Sequence, residues 1–269
     1  MDGRLVFSRT WNLEKQWPFV PRRLQEQLET MGEVDVVQLD RDDPLGEATE
    51  LKDVVAIALF GGQLTEDCLR GASKLKVVGG VLDNWGHKSL PVQSMFCRNI
   101  PIVDATRAWA ASVAECSLGL ALCALRRLPQ WHIRMAEGEP LWDFKYQQFC
   151  DSSDFVNGTL GSKRVGVMGL GQIGGRIAQW CKGLGAEVIG YDPFIPKERF
   201  AYLGVEPMEM DRLVEIVEVL FVAIPPTPSA KEILSRERIF RLRKGTLVIV
   251  TTRAHAVDML ALRERIIND

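Results

Sequence analysis

The chain has 269 residues, enough for one or two domains that bury a core without metals or disulfides. Apolar residues make up 46% and charged residues 25%, and the formal net charge is -2, which does not indicate a nucleic-acid or anionic-membrane partner. The six cysteines form no C-x-x-C pair and there are only three histidines, which argues against a metal site. Reduced thiols and the absence of a signal-like or 18-residue apolar stretch predict a cytoplasmic protein without a membrane span.

Short apolar runs alternate with helical patterns in the first part of the chain, which is typical of a parallel α/β sheet. Helices are predicted at residues 21–31, with proline in the first turn, and at 65–71, closed by glycine. Five strands are predicted at residues 4–8, 34–39, 54–59, 75–78 and 100–103.

The next segment is a helix over residues 112–127 that is apolar on almost every face, so we expect it to be buried on most sides. It follows a predicted domain boundary at residues 105–106. The stretch 129–158 is less regular and is predicted to contain loop and short helix.

A second α/β series begins at residue 164. We expect strands at residues 164–168, 187–191, 219–224 and 246–250, with a weak one at 204–206. Helices are expected at 173–184, 208–217, 230–240 and 257–267. Because a crossover helix normally returns the chain to its sheet, and no strand follows the last helix, we expect this second domain to lack C-terminal strands.

A glycine-rich turn joins the first strand of this series to its helix. Gly169 permits a tight turn, Gly171 leaves room for a pyrophosphate, and Gly174 allows close packing of helix and strand. Free N–H groups and the dipole at the helix start favour phosphate. The predicted cradle consists of Gly169, Leu170, Gly171, Gln172, Ile173 and Gly174.

Asp192 ends the next strand, where a carboxylate can accept hydrogen bonds from both ribose hydroxyls and would repel a 2′-phosphate. The spacing therefore predicts NAD rather than NADP. One alternative is a glycine turn that binds nothing. Another is an S-adenosylmethionine site, but the position of the turn after another α/β unit makes that site less favoured.

Several motifs follow one another in the order found in one enzyme family. They are LKVVGGVLDN at residues 75–84, NIPIV at 99–103, SVAE at 112–115, GTLG at 158–161, PPT at 225–227, and TR at 252–253 followed by VD at 257–258. The series resembles the D-isomer-specific 2-hydroxyacid dehydrogenases, which include glycerate and phosphoglycerate dehydrogenases.

The resemblance implies two similar α/β domains with a cleft between them. A flavodoxin-like substrate domain would comprise residues 1–105, and an NAD-binding Rossmann domain would comprise residues 106–269. It also implies hydride transfer between nicotinamide and C2 of a small 2-hydroxy or 2-keto acid. The family forms homodimers through the cofactor domain, with helix 112–127 taking part.

Carried over by position, Arg253 falls on the family's catalytic arginine, whose guanidinium grips carboxylate and carbonyl oxygens in a forked geometry. Backbone N–H groups around Gly80, Val81 and Leu82 would hold the substrate carboxylate. The nicotinamide side would be lined by Pro225, Thr227, Thr251 and Thr252. The alternative for Arg253 is a solvated arginine at a strand end, and the alternative for the glycines of the substrate loop is an ordinary turn.

The chain also departs from the family pattern. The family's general acid/base histidine and its glutamate lie downstream of the arginine, beyond Asp269. His255 follows Arg253 closely, but we expect a solvated loop histidine, and expect His87 and His132 to be structural or exposed. Ala223, Val250 and Ala254 replace a histidine, an asparagine and a glycine common in the family. These departures motivate an alternative, a non-catalytic, corepressor-like NAD-binding protein.

Overall fold

The computed structural model describes residues 3–10, 15, 18–40, 42–82, 90–140 and 156–268. The chain divides into two compact units, Met1–Ala108 and Trp109–Asp269. Each unit contains one five-stranded parallel sheet with helices packed on it, so the predicted α/β class with two parallel sheets is confirmed.

The sheet of the first unit has the order β2-β1-β3-β4-β5, which is the flavodoxin-like order. The strand Arg4–Arg9 is buried on both faces, as is usual in parallel sheets, and its Val6 and Phe7 are fully buried. The strands are β1 (Arg4–Arg9), β2 (Val34–Gln38), β3 (Val54–Phe60), β4 (Val77–Gly80) and β5 (Ile102–Asp104).

The helices of this unit are α1 (Phe19–Glu29), α2 (Leu45–Ala48), α3 (Glu66–Gly71) and α4 (Val92–Cys97). Thr65 caps α3, because its Oγ1 accepts the backbone N–H of Cys68 at 3.2 Å. The sequence did not predict α2 or α4, which have only four and six residues and too little periodicity to detect.

The sheet of the second unit has the order β10-β9-β6-β7-β8, with β6 at the centre. Along β9, Val219 and Phe221 enter one core cluster while Leu220 and Val222 enter another, so the strand is buried on both faces. The strands are β6 (Arg164–Met168), β7 (Glu187–Tyr191), β8 (Glu206–Pro207), β9 (Val219–Val222) and β10 (Leu247–Val250).

Helices of the second unit flank this sheet. They are α5 (Ala110–Leu125), α6 (Leu128–Ala136), α7 (Gln172–Gly183), α8 (Lys197–Leu203), α9 (Met210–Ile216), α10 (Arg236–Arg241) and α11 (Met259–Asn268). Helix α8 was not predicted, and part of the irregular stretch 129–158 forms α6, whereas residues 141–155 lie outside the described residues.

The predicted helix over residues 230–240 is wrong in its first half. A 3-10 turn at Pro228–Ala230 is followed by Glu232 with φ 48°, which no α-helix allows. Leu234 then pairs with Val257 as a parallel bridge, so the backbone here is extended. Helix α10 begins only at Arg236, after Ser235 caps it.

The expectation that helix 112–127 is buried on most sides is also wrong within this chain. Only one strip of α5 is buried, packed against α7 and β10, while Leu120 is 54% exposed. The strip consists mainly of small residues: Ala110, Ala114, Ser117, Ala121 and Leu125.

The same helix passes a test of length and composition for membrane helices. The stretch Arg107–Leu125 is long and apolar enough to cross a membrane, although it contains Arg107 and Glu115 and is therefore not an uncharged apolar run. In this structure its strip of small residues packs against α7 and β10 of the same unit, as a helix of an α/β domain does when it contributes to a core.

Candidate functional site

The glycine turn after β6 has the shape that the sequence predicted. Gly169 has φ 85°, a conformation that strongly favours glycine, and a Cβ there would lie 2.7 Å from the carbonyl oxygen of Ala223. A Cβ on Gly174 would lie 1.8 Å from the carbonyl oxygen of Gly169. These two glycines therefore allow the strand, the turn and α7 to pack at backbone contact distance.

Gly171 serves a different purpose. A Cβ at Gly171 would meet no atom within 4 Å, so the space ahead of α7 is open. Gly171 is the N-cap of α7 without a side-chain cap, and the first turn contains no acidic residue. The amide groups of Gln172, Ile173 and Gly174 belong to the first helical turn, whose N–H groups lack intrahelical partners. This positive helix end, with open space before it, fits a pyrophosphate group.

Asp192 lies directly after β7 and contacts the same turn. Its Oδ2 accepts the backbone N–H of Leu170 at 2.8 Å, and its Oδ1 accepts the N–H of Phe194 at 3.0 Å. Both oxygens keep lone pairs, because a carboxylate has about four acceptor positions. The Leu170 N–H is therefore committed to Asp192, and the Leu170 side chain is fully buried.

The carboxyl ends of β9 and β10 carry the predicted nicotinamide-side residues. Thr251 Oγ1 donates to the carbonyl oxygen of Val222 at 2.7 Å, and Thr252 Oγ1 donates to that of Ile224 at 2.5 Å. The N–H of Thr227 donates to the carbonyl of Pro225 at 2.8 Å. Hydrogen bonds thus join the two loops that follow neighbouring strands.

Arg253 lies three residues beyond the end of β10, on the N-terminal side of the 3-10 turn Ala254–Ala256. It is solvent-exposed, at the sheet edge where ligands of α/β proteins bind. His255 differs from the expectation of a solvated loop histidine: it is half-buried, and its Nε2 lies 2.8 Å from the carbonyl oxygen of Thr227. His132 is exposed on α6, and His87 lies outside the described residues.

The predicted substrate loop lies in the first unit, at the carboxyl end of β4. Gly80 pairs with Leu59 and Asp104 in the sheet, and a Cβ at Gly80 would lie 1.9 Å from the Leu59 carbonyl oxygen. The N–H of Leu82 donates to Asp104 Oδ1 at 3.2 Å, so this donor is already committed to a carboxylate. Val81 is half-exposed and follows the strand.

Two residues that lie beside the candidate site residues, Asp104 and Phe194, were not predicted from the sequence. Asp104 ends β5 beside the substrate loop, and a polar residue directly after the apolar run IPIV was the available signal. Phe194 follows Asp192 by two residues, its N–H is held by that carboxylate, and its side chain is 82% exposed. No pattern of spacing marks an exposed aromatic residue in a loop.

Residues 118–269 match the family model for the NAD-binding domain of D-isomer-specific 2-hydroxyacid dehydrogenases. The chain belongs to this family. The resemblance and the prediction of NAD as cofactor are thereby confirmed.

A relative with a related sequence agrees with the assignment of this chain to the dehydrogenase family. The D-3-phosphoglycerate dehydrogenase of Methanocaldococcus jannaschii is 34% identical over 240 residues, which cover 88% of this chain. They cover 43% of that relative, so the chain spans less than half of its length.

Solved structures share the fold. A protein of Pyrococcus horikoshii matches with a TM-score of 0.73 at 20% identity, over 99% of this chain and 75% of that one. The D-lactate dehydrogenase of Aquifex aeolicus, complexed with NAD and lactic acid, matches with a TM-score of 0.63 at 22% identity, over 97% and 72%. At these identities, the two matches show only that the fold is shared.

Proposed function

We propose that this protein is an NAD-dependent oxidoreductase that transfers a hydride between nicotinamide and C2 of a D-2-hydroxy acid or 2-keto acid. The observation that carries the proposal is the hydrogen bond between Asp192 and the glycine turn, which combines a phosphate-binding element with a ribose-binding acid. Arg253 follows strand β10 of the same sheet and supplies a cation for an acidic substrate.

The second unit would hold the dinucleotide. The N–H groups at the start of α7 would bind the pyrophosphate, and Asp192 would accept the adenosine ribose hydroxyls through its remaining lone pairs. The loops at Pro225, Thr227, Thr251 and Thr252 would border the nicotinamide. When bound, NAD supplies or accepts the hydride.

Arg253 would orient the acid and polarise its carbonyl. A guanidinium presents several N–H donors in one plane, so it can bind a carboxylate oxygen and a neighbouring keto oxygen together. For the first unit, we keep the proposal that the backbone after β4 at Gly80 and Val81 binds a carboxylate. Because Leu82 already donates to Asp104, we assign it only a supporting role in shaping that loop.

The experiment measures NADH oxidation with glyoxylate, pyruvate, hydroxypyruvate and 3-phosphohydroxypyruvate, and measures oxalate binding to the NADH-saturated protein. Oxalate carries a second carboxylate where a 2-keto acid has its keto carbonyl, and it cannot be reduced here, so its binding does not require turnover. We expect oxalate to bind wild-type protein and to bind Arg253→Gln about tenfold or more weakly, since hydrogen bonds to charged groups are the strong ones. Arg243→Gln, at the opposite end of β10, is the matched control.

The outcomes separate two classes of protein. If NADH binds but no keto acid is reduced and oxalate does not respond to Arg253, the dehydrogenase proposal fails and the non-catalytic NAD-binding alternative gains support. If NADH is oxidised with any of the keto acids, the non-catalytic alternative is excluded; oxalate binding that depends on Arg253 supports the assignment of this arginine to the substrate.

We further propose that the protein forms a homodimer in the cytoplasm through the outer face of α5 and α6. This α5–α6 surface exposes large apolar side chains in the part of the chain that the structure describes, which is typical of an interaction site. Its members are Leu120, Leu122, Leu128, Ile133 and Met135. The five described cysteines are all free thiols, as a reducing compartment favours.

A further inference from the structure

His255 joins two loops that follow neighbouring strands. Its Nε2 lies 2.8 Å from the carbonyl oxygen of Thr227, and the histidine is half-buried. A carbonyl oxygen can only accept a hydrogen bond, so Nε2 must carry the proton. The contact therefore fixes the ring as a donor toward Thr227 and commits this nitrogen.

The loop that receives this bond has few donors of its own. Residues 225, 226 and 228 are prolines and lack a backbone N–H, so the loop cannot build a regular backbone ladder. Its internal contacts include the bond from the Thr227 N–H to Pro225, the bond from the Ala230 N–H to the Thr227 carbonyl at 3.0 Å, and the contact between the Thr227 and Ser229 hydroxyls. Hydrogen bonds from the neighbouring loop add to these few contacts.

The neighbouring loop provides three such hydrogen bonds. Thr251 donates from its side chain to the carbonyl of Val222 at the end of β9, and Thr252 and His255 donate to the carbonyls of Ile224 and Thr227 in the first loop. The His255 carbonyl in turn accepts the N–H of Glu232 at 2.8 Å, so its backbone is held as well as its ring.

We propose that His255 is a positioning residue: it holds the turn at Thr227 in the shape that borders the nicotinamide. The proposal rests on the proposed function, because it concerns the same cofactor site. It also assigns His255 a role other than proton transfer, since Nε2 is bound to the backbone.

The test compares two ligands on three variants. NADH contains nicotinamide and ADP-ribose does not, so a defect confined to the Thr227 turn weakens only NADH. We expect His255→Ala to weaken NADH binding about three- to tenfold, the range of one hydrogen bond, with ADP-ribose affinity unchanged. His255→Gln, whose amide can donate to the Thr227 carbonyl, should bind NADH within about twofold of wild type. His132→Ala, an exposed histidine on α6, is the control.

The results distinguish the two proposals. If wild-type protein binds neither ligand, the proposed function fails. If it binds both and His255→Ala weakens neither or both equally, the positioning role is overturned. Should His255→Ala not fold, His255→Asn, whose shorter amide does not reach Thr227, replaces it.

Nitrogen-15 NMR of the folded wild-type protein gives an independent readout. The neutral His255 ring, assigned by its absence in His255→Gln, should carry its proton on Nε2. Protonation on Nδ1 alone would contradict the proposal.

Discussion

Asp192 and Leu170 are joined by a hydrogen bond of 2.8 Å, from the Leu170 backbone N–H to Asp192 Oδ2. The bond ties the acid after β7 to the glycine turn after β6, although the two residues are 22 positions apart in the chain. Together with the bond from the Gly169 N–H to the Tyr191 carbonyl at 2.8 Å, it holds the proposed ribose-binding acid beside the proposed phosphate-binding turn.

Replacing Asp192 with alanine should weaken NADH binding and reduce discrimination against NADPH. Loss of hydrogen bonds to a charged group is worth about 1.5–3 kcal/mol, so we expect roughly a ten- to hundredfold higher Kd for NADH. NADPH binding should fall less, because the repulsion of its 2′-phosphate is removed. Calorimetric titration with both nucleotides measures the ratio, with Asp211→Asn on α9 as control; an unchanged ratio counts against Asp192 as the ribose-binding acid.

Gly174→Ala should destabilise the fold. Its Cβ would lie 1.8 Å from the Gly169 carbonyl oxygen, which is backbone and cannot rotate away. We expect a loss of about 1–3 kcal/mol, the usual cost of overpacking. Gly183→Ala on the same helix meets nothing within 4 Å and should be neutral or stabilising. Urea unfolding compares the two, and equal stabilities would contradict the close packing.

Leu120→Glu should convert the proposed dimer to a monomer. Leu120 is 54% exposed on the α5–α6 surface, and a charge there would be desolvated in an apolar interface. Light scattering after size-exclusion chromatography gives the mass. Leu184→Glu, at an equally exposed leucine after α7, should remain dimeric. A wild-type monomer, or a dimer unaffected by Leu120→Glu, rules out this surface.

Cys181 predicts a pH dependence of stability. Burial of its thiol within α7 raises its pKa to about 12, from 9.0. Between these values the unfolded chain loses this proton while the folded chain keeps it, so the group's contribution to stability falls as pH rises above 9. The slope attributable to Cys181 is at most about 1.4 kcal/mol per pH unit.

The measurement is urea unfolding of wild type and Cys181→Ala at pH 8, 9 and 10. Wild type should lose more stability over this range than the variant, because other titrating groups cancel in the difference. At pH 8, alkylation should modify the exposed Cys97 before the buried Cys68 and Cys181. Equal slopes would mean that Cys181 is not protected from ionisation.

The fold was predictable from sequence where a local pattern sufficed. Strands β6 and β7 match the predicted limits because, in each, a run of four apolar residues follows a charged one and leaves few alternatives. The helix expected over residues 230–240 was wrong because pairing of Leu234 with Val257, a distant contact, overrides local propensity. Likewise, the apolar composition of α5 could not reveal which face its own chain covers.

The candidate site divides in the same way. Gly169, Gly174 and Asp192 follow from a motif whose spacing encodes backbone geometry. The bonds from His255 to Thr227 and from Leu82 to Asp104 join separate loops or strands, and no spacing rule specifies them. They reassign two residues that the sequence had treated as a solvated histidine and a free donor.

The most direct test of the cofactor site is titration of NADH into the folded chain and into Gly171→Val. Because the space around Gly171 is open, the variant should keep its melting temperature, yet its side chain would occupy the position ahead of α7. We expect saturable binding at one site per wild-type chain and a loss of at least about tenfold in Gly171→Val, since amide donors at the helix start would be blocked. Folded wild-type protein without affinity for NADH, or Gly171→Val with unchanged affinity, would contradict the assignment of this turn as the pyrophosphate site.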